Sequence, residues 1–173
     1  DAIPFVIMNQ AHYQNFGSHE SMVLNFVVNA ADGEIIAGIR WMELRKSGGE
    51  DWTLYQEGTY APEDGLHRYM GAIAQDAAGN IALAFSASSE NDYIGLRWTA
   101  RRAGDPLGEM TAEELLLVPG GSTNNDGRYG DYAQMSVDPI NGKTFWHTSE
   151  YPGPDQIDTR IVAFDLNRDT TDI

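Results

Sequence analysis

An all-β fold is predicted by three features of the sequence. Apolar and polar residues alternate with a period of two along most of the chain, Gly and Pro punctuate the alternating runs, and one hairpin design recurs. Met22, Leu24, Phe26 and Val28 share one face of a strand over Glu20–Asn29. Runs of the same kind follow at Ile35–Arg45 and Trp52–Tyr60. A strand over Met70–Gln75 leads to one over Ile81–Ser88, where Ile81, Leu83 and Phe85 share a face and Ala82, Ala84 and Ser86 the other. The small residues of that second face let another sheet approach closely. Tyr93–Arg101, Tyr132–Val137, Lys143–Tyr151 and Arg160–Leu166 complete the set. One segment argues for helix: Thr111-Ala112-Glu113-Glu114 matches a capping box ahead of Leu115-Leu116-Leu117. Pro119-Gly120-Gly121 stops it early, so the choice lies between a single helical turn that runs into a strand over Leu115–Val118 and the strand alone.

The hairpins repeat. Turns at Asn29–Gly33, Asp76–Gly79 and Asp138–Gly142 each open on Asp or Asn, whose short side chain bonds turn amides, and close on Gly, which accepts positive φ. From Asn29 to Asp76 is 47 residues, and from Asp76 to Asp138 is 62. A unit of this size holds about four strands, the size of one β-propeller blade. Arg68-Tyr69 and Arg128-Tyr129 precede the second and third hairpins, and His19-Glu20 takes the matching place before the first. The expected architecture is therefore antiparallel four-stranded blades of a propeller over residues 1–166, with 167–173 as an exit linker. About three blades are too few to close a ring, so further sheets, from the rest of the propeller or from another chain, are expected to complete it. A β-sandwich is the alternative that closes on itself. The apolar opening Ile3-Pro4-Phe5-Val6-Ile7-Met8 reads as a strand cut from its neighbours.

Composition narrows function by exclusion. The net charge is −15 and the pI about 4.4. Nucleic acid and anionic membrane surfaces, which need a cationic face, are not expected partners, and no apolar run is long enough for membrane insertion as a helix. The absence of Cys removes disulfides, thiolate nucleophiles and zinc–thiolate sites.

Several strings resemble a group of large secreted bacterial proteins that carry a sialidase-like, BNR-type propeller. They are Ala11–Ser21, Gly38–Arg45, Asp76–Leu83, Arg128-Tyr129-Gly130-Asp131-Tyr132, Ser136-Val137-Asp138-Pro139 and Thr144–Tyr151. The resemblance implies export, a multidomain parent and a propeller fold in the C-terminal region of such proteins. It implies no reaction. Ser136–Phe145 also approaches an Asp-box, with two extra residues between Asp138 and Gly142, and that motif is a structural turn.

In a propeller the starts of the innermost strands surround a channel mouth. The repeat alignment places His19, Glu20, Arg68, Arg128 and Asp131 there. His19 and the two arginines would bind ligand, the arginines gripping a carboxylate, with a glycan as the ligand class. If the site were catalytic it would be a glycosidase, with Glu20 and Asp131 as acid and base and Tyr129 or Tyr69 as nucleophile. The competing expectation is that these charges pair with one another and tie the blades together. No cofactor is expected. Ser122–Gly127, with Asn124 and Asp126, has the oxygen spacing of the start of a calcium loop, but Ala133 stands where its bidentate Glu belongs.

Overall fold

The computed structural model describes residues 4, 6–8, 10–123 and 129–166, and every statement below refers to those residues. Eleven strands form three antiparallel sheets, and no helix is present. The first sheet contains β1 (His12–Asn15), β2 (Glu20–Asn29), β3 (Ala37–Lys46) and β4 (Thr53–Tyr60), in that order. The second contains β5 (His67–Gln75), β6 (Ile81–Ser88), β7 (Gly95–Arg101) and β8 (Leu115–Val118), again in chain order. The third contains β9 (Gln134–Val137), β10 (Phe145–Pro152) and β11 (Ile157–Phe164). Three sheets form where a sandwich has two.

The second sheet is the middle layer. Ile73, Ile81, Leu83 and Phe85 pack against Val23, Ile39 and Trp41 of the first sheet. On its other side Ala72, Ala74, Ala82, Ala84 and Ala100 receive Met135, Phe145 and Phe164 of the third. The alanines thus make room for large side chains opposite, which is why β6 is buried along almost its whole length.

The hairpin repeat exists, but its first member is shifted by one strand. Asn29 joins β2 to β3, whereas Asp76 and Asp138 each join the first strand of a sheet to the second. Their counterpart is Asn15, between β1 and β2. Asn15 Oδ1 accepts the Gly17 N–H at 2.8 Å, Asp76 Oδ1 that of Ala78 at 2.8 Å, and Asp138 Oδ1 that of Ile140 at 2.8 Å. Asn29 instead holds a wider loop, accepting the Ile36 N–H and donating to the Ala31 and Glu34 carbonyls. With Asn15 in place the spacing becomes 61 residues (15 to 76) and 62 (76 to 138), a regular period. The backbone repeats it: Met70 (φ +50°) and Tyr132 (φ +72°), two non-glycine residues in the left-handed region, are also 62 residues apart.

The capping box does not form a helical turn. The Ala112 N–H donates to the Ala100 carbonyl at 2.8 Å, and the Ala112 carbonyl accepts the Thr99 hydroxyl at 2.8 Å, so the segment is captured by the end of β7. The Thr111 hydroxyl goes to the Asp105 carboxylate and Glu114 to Arg68 and Arg97, which leaves no cap for a helix. Of the apolar opening, Ile3 and Phe5 lie outside the described residues, as do residues 167–173. Met8 is buried, and its N–H donates to the Asn25 carbonyl at 2.9 Å.

Candidate functional site

Strand direction decides which residues can meet. Val27, near the end of β2, packs with Met70, near the start of β5, and with Tyr129. The Ala37 N–H donates to His67 Nδ1 at 3.2 Å, while at the other end of β5 the Gln75 N–H donates to His12 Nδ1 at 3.3 Å. β2 and β5 therefore run in opposite directions. Glu20 lies seven residues along β2 from Val27, roughly 23 Å at about 3.3 Å per residue. The structure brings Tyr129, Asp131 and Arg68 to one end of the sheets and leaves His19 and Glu20 at the other. Glu20 and Asp131 do not form the 5–10 Å carboxylate pair of a glycosidase. The physical reason is the one-strand shift: His19-Glu20 ends the β1–β2 turn and is not the approach to the first strand of a sheet.

At the first end Arg68 is 1% exposed, and each of its three nitrogens is bound by protein groups. Its Nη1 and Nη2 donate to the Asp64 carboxylate at 3.0 and 2.7 Å, its Nε to Glu114 at 2.7 Å, and Nη1 also to the Leu66 carbonyl at 3.2 Å. Burial works against its charge, but the bonds to Asp64 and Glu114 outweigh it and hold the guanidinium firmly protonated. Arg68 thus has carboxylate partners without any ligand, though they are Asp64 and Glu114, not Glu20 or Asp131. Arg97 shares Glu114 at 3.1 Å, and the Tyr60 ring lies 5.4 Å from the Arg68 guanidinium carbon.

Tyr129 is also buried. Its hydroxyl donates to the Glu150 carbonyl at 2.7 Å and meets the Ser86 hydroxyl at 3.0 Å. Burial pushes the phenol above its ordinary pKa, so the residue is held as a neutral donor and not as a nucleophile. Tyr69 stands edge-on to it at 6.1 Å, with its hydroxyl 2.9 Å from that of Ser88. The Gly130 N–H donates to the Glu150 carboxylate at 2.9 Å, and Asp131 beside it is exposed. Met8, Met70 and Tyr129 fill this end with apolar side chains. Gly71 follows the strained Met70, and a Cβ there would stand 2.4 Å from Asn25 Oδ1, so no larger residue fits.

At the opposite end Glu20 accepts the Tyr13 hydroxyl at 2.8 Å and pairs with Lys46 at 3.2 Å. The Tyr13 bond, with smaller help from Lys46, holds its carboxyl below the usual range, which suits an ion pair and not a proton donor. His19 stacks on Phe16 at 5.0 Å. Arg128, Asn124 and Asp126 lie outside the described residues. Among the described residues no group of three metal-ligating side chains forms.

One polar cluster was missed in the sequence. Glu43, fully buried between the first and second sheets, accepts bonds from Ser21 at 3.0 Å and from Arg45 and Gln56 at 2.5 Å each, with Gln75 at 3.4 Å. Burial raises its pKa, but the bonds from Gln56, Arg45 and Ser21 win and keep it ionised. Buried Arg101 lies nearby and donates to the Asp105 carbonyl at 2.8 Å. The signal was present: Glu43 shares the alternation of Ile39 and Trp41, so it points into the core. The cluster ties four strands of two sheets together, and Arg101 Nε and Gln75 Oε1 in it have no hydrogen-bond partner among the described residues.

Comparison of the chain with protein families, with curated proteins and with solved structures finds no match.

Proposed function

We propose that the chain is a segment of an extracellular β-propeller, three consecutive blades, and that it serves as a binding or structural module of a larger secreted bacterial protein. The observation that carries this reading is the regular repeat. Three successive sheets with the same strand order are spaced by 61 and 62 residues and have the same Asn/Asp turn after the first strand. The turns of the second and third sheets touch, with the Ala77 N–H donating to the Gly142 carbonyl at 2.9 Å, so their first strands run side by side in one direction, as innermost propeller strands do. The third sheet has three strands where the others have four.

The chemistry of the ends favours a non-catalytic role over the glycosidase alternative. Arg68 and Glu43 are internally satisfied, Tyr129 is buried and neutral, and the two carboxylates that a glycosidase needs stand apart. A glycan remains the ligand class to test for binding. The sequence resemblance supports export and a multidomain parent. Immunoblotting of fractionated bacterial cultures tests the whole reading. The account expects the chain in the medium or on the cell surface, within a polypeptide much heavier than 19.1 kDa. A cytoplasmic species of that mass would refute it.

A further inference from the structure

A groove of about 280 Å³ opens at the edge of the second sheet where β6 turns into β7. Asn91, Asp92 and Tyr93 of the connecting loop line it, with Arg97 of β7, Leu116 of β8 and Gly120 beyond β8. Arg97 and Leu116 are cross-strand partners and so share one face. The volume falls below the about 300–1,000 Å³ of drug-sized sites, so the groove suits one small ring and not a nucleotide or a flavin. The loop is fixed by the fold itself. The Ser89 hydroxyl accepts the Asn91 and Asp92 N–H groups, each at 3.1 Å, and donates to Asp92 Oδ2 at 2.6 Å. The segment after β8 is pressed against this loop: a Cβ at Gly120 would collide with the Ile94 carbonyl oxygen, and one at Gly95 would stand 3.0 Å from the Val118 carbonyl oxygen. Glu114 holds Arg97 through Nη1 at 3.1 Å. The remaining polar groups of the lining are unspent: among the described residues nothing bonds the Asn91 side-chain amide, Asp92 Oδ1, the Tyr93 hydroxyl or Arg97 Nη2. Tyr93 is 56% exposed and Leu116 50% exposed. Both faces of the second sheet already have neighbours, so this groove is not a stretch of unfinished core.

We infer that this groove binds one neutral hexose ring of a glycan. The inference rests on the binding-module reading above and gives it a site and a sugar class. A hexose presents an apolar C–H face and a rim of hydroxyls, each of which donates and accepts. Tyr93 and Leu116 supply apolar surface for the face, and the Tyr93 hydroxyl keeps a polar tip at its border. The Asn91 amide donates and accepts, Asp92 Oδ1 accepts and Arg97 Nη2 donates, which is the mixed set that adjacent hydroxyls need. Other ligand classes match this lining less well. A phosphate or an acidic sugar would meet the Asp92 carboxylate, with exposed Glu90 close by in sequence, on a chain of net charge −15, while Arg97 already shares its charge with Glu114. A wholly apolar ligand would strip water from Asp92 and Arg97 and return no hydrogen bond.

Saturation-transfer NMR on the 173-residue chain tests the inference, with methyl glucoside, methyl galactoside, methyl mannoside and N-acetylneuraminic acid as probes. At least one of the neutral methyl hexosides is expected to take up saturation through its ring protons, and N-acetylneuraminic acid is not. Tyr93→Ala and Asn91→Ala are each expected to weaken that binding about tenfold. Both side chains are exposed and unbonded in the fold, so the circular dichroism spectrum of each variant should match the wild type. Tyr132→Ala, which removes a comparably exposed tyrosine (54%) at the start of the third sheet, should leave binding unchanged. Binding that survives Tyr93→Ala but is lost in Tyr132→Ala overturns the groove as the site and leaves the binding-module reading standing. A preference for N-acetylneuraminic acid overturns the neutral sugar class. No uptake by any methyl hexoside overturns the inference as a whole, while the fractionation of cultures judges the module reading separately.

Discussion

His147 makes the interface between the second and third sheets sensitive to acid. The ring is fully buried on β10, in the row of Phe145 and Ser149 that faces the second sheet. Its Nδ1 lies 3.2 Å from the Gln134 carbonyl, which fixes Nδ1 as the protonated nitrogen, and Nε2 has no hydrogen-bond partner among the described residues. A proton on Nε2 would bury an unpaired charge, and this desolvation lowers the pKa from 6.5 to about 4. Between those two values the unfolded chain holds the proton and the folded chain does not, so stability falls as pH falls through that window. At about 1.36 kcal/mol per pKa unit, the gap of roughly 2.5 units amounts to about 3 kcal/mol, most of it lost by pH 4.5. The assay is urea unfolding, followed by tryptophan fluorescence, at pH 7.5 and pH 4.5, for the wild type and for His147→Gln. Carboxylates contribute to the acid response of both proteins, so the difference between them isolates His147. The wild type should lose about 2–3 kcal/mol more than the variant over this range. Equal losses would refute the burial of a neutral imidazole between these sheets.

Other substitutions probe the remaining contacts. Arg68→Ala leaves Glu114 without its nearest cation and should cost about 3–5 kcal/mol in chemical denaturation, with a matching fall in melting temperature. Ala84→Leu places three more carbons against the third sheet and should cost about 1–3 kcal/mol, whereas Ala78→Leu in an exposed turn should change stability by less than about 0.5 kcal/mol. Asp138→Ala removes the acceptor of the Ile140 N–H and of the Trp146 indole N–H, and a loss of about 1 kcal/mol is expected from thermal unfolding.

The strands were largely legible because sheets that bury a face impose alternation on the sequence. β6 shows it best: the large-residue face and the alanine face read from the sequence are the faces that meet the first and third sheets. β1 was not legible, since four residues, His12-Tyr13-Gln14-Asn15, are too few for a period to appear. Missing it displaced the first repeat by one strand and carried His19 and Glu20 to the wrong end of the sheets. The helical signal at Thr111–Glu114 failed because Thr111 found a partner on Asp105 in the preceding loop and Glu114 found Arg68 and Arg97, 46 and 17 residues away, which no local rule anticipates. The buried state of Arg68 and Tyr129 was hidden for the same reason: their partners Glu114 and Glu150 are 46 and 21 residues away.

A crystal structure of the assembled protein tests the propeller assignment most directly, through what lies on Met22, Leu24 and Phe26. The account predicts an antiparallel sheet packed face to face on them, its innermost strand running in the same direction as β1, β5 and β9. A bare face, a helix or a strand crossing at a steep angle in that place would contradict it.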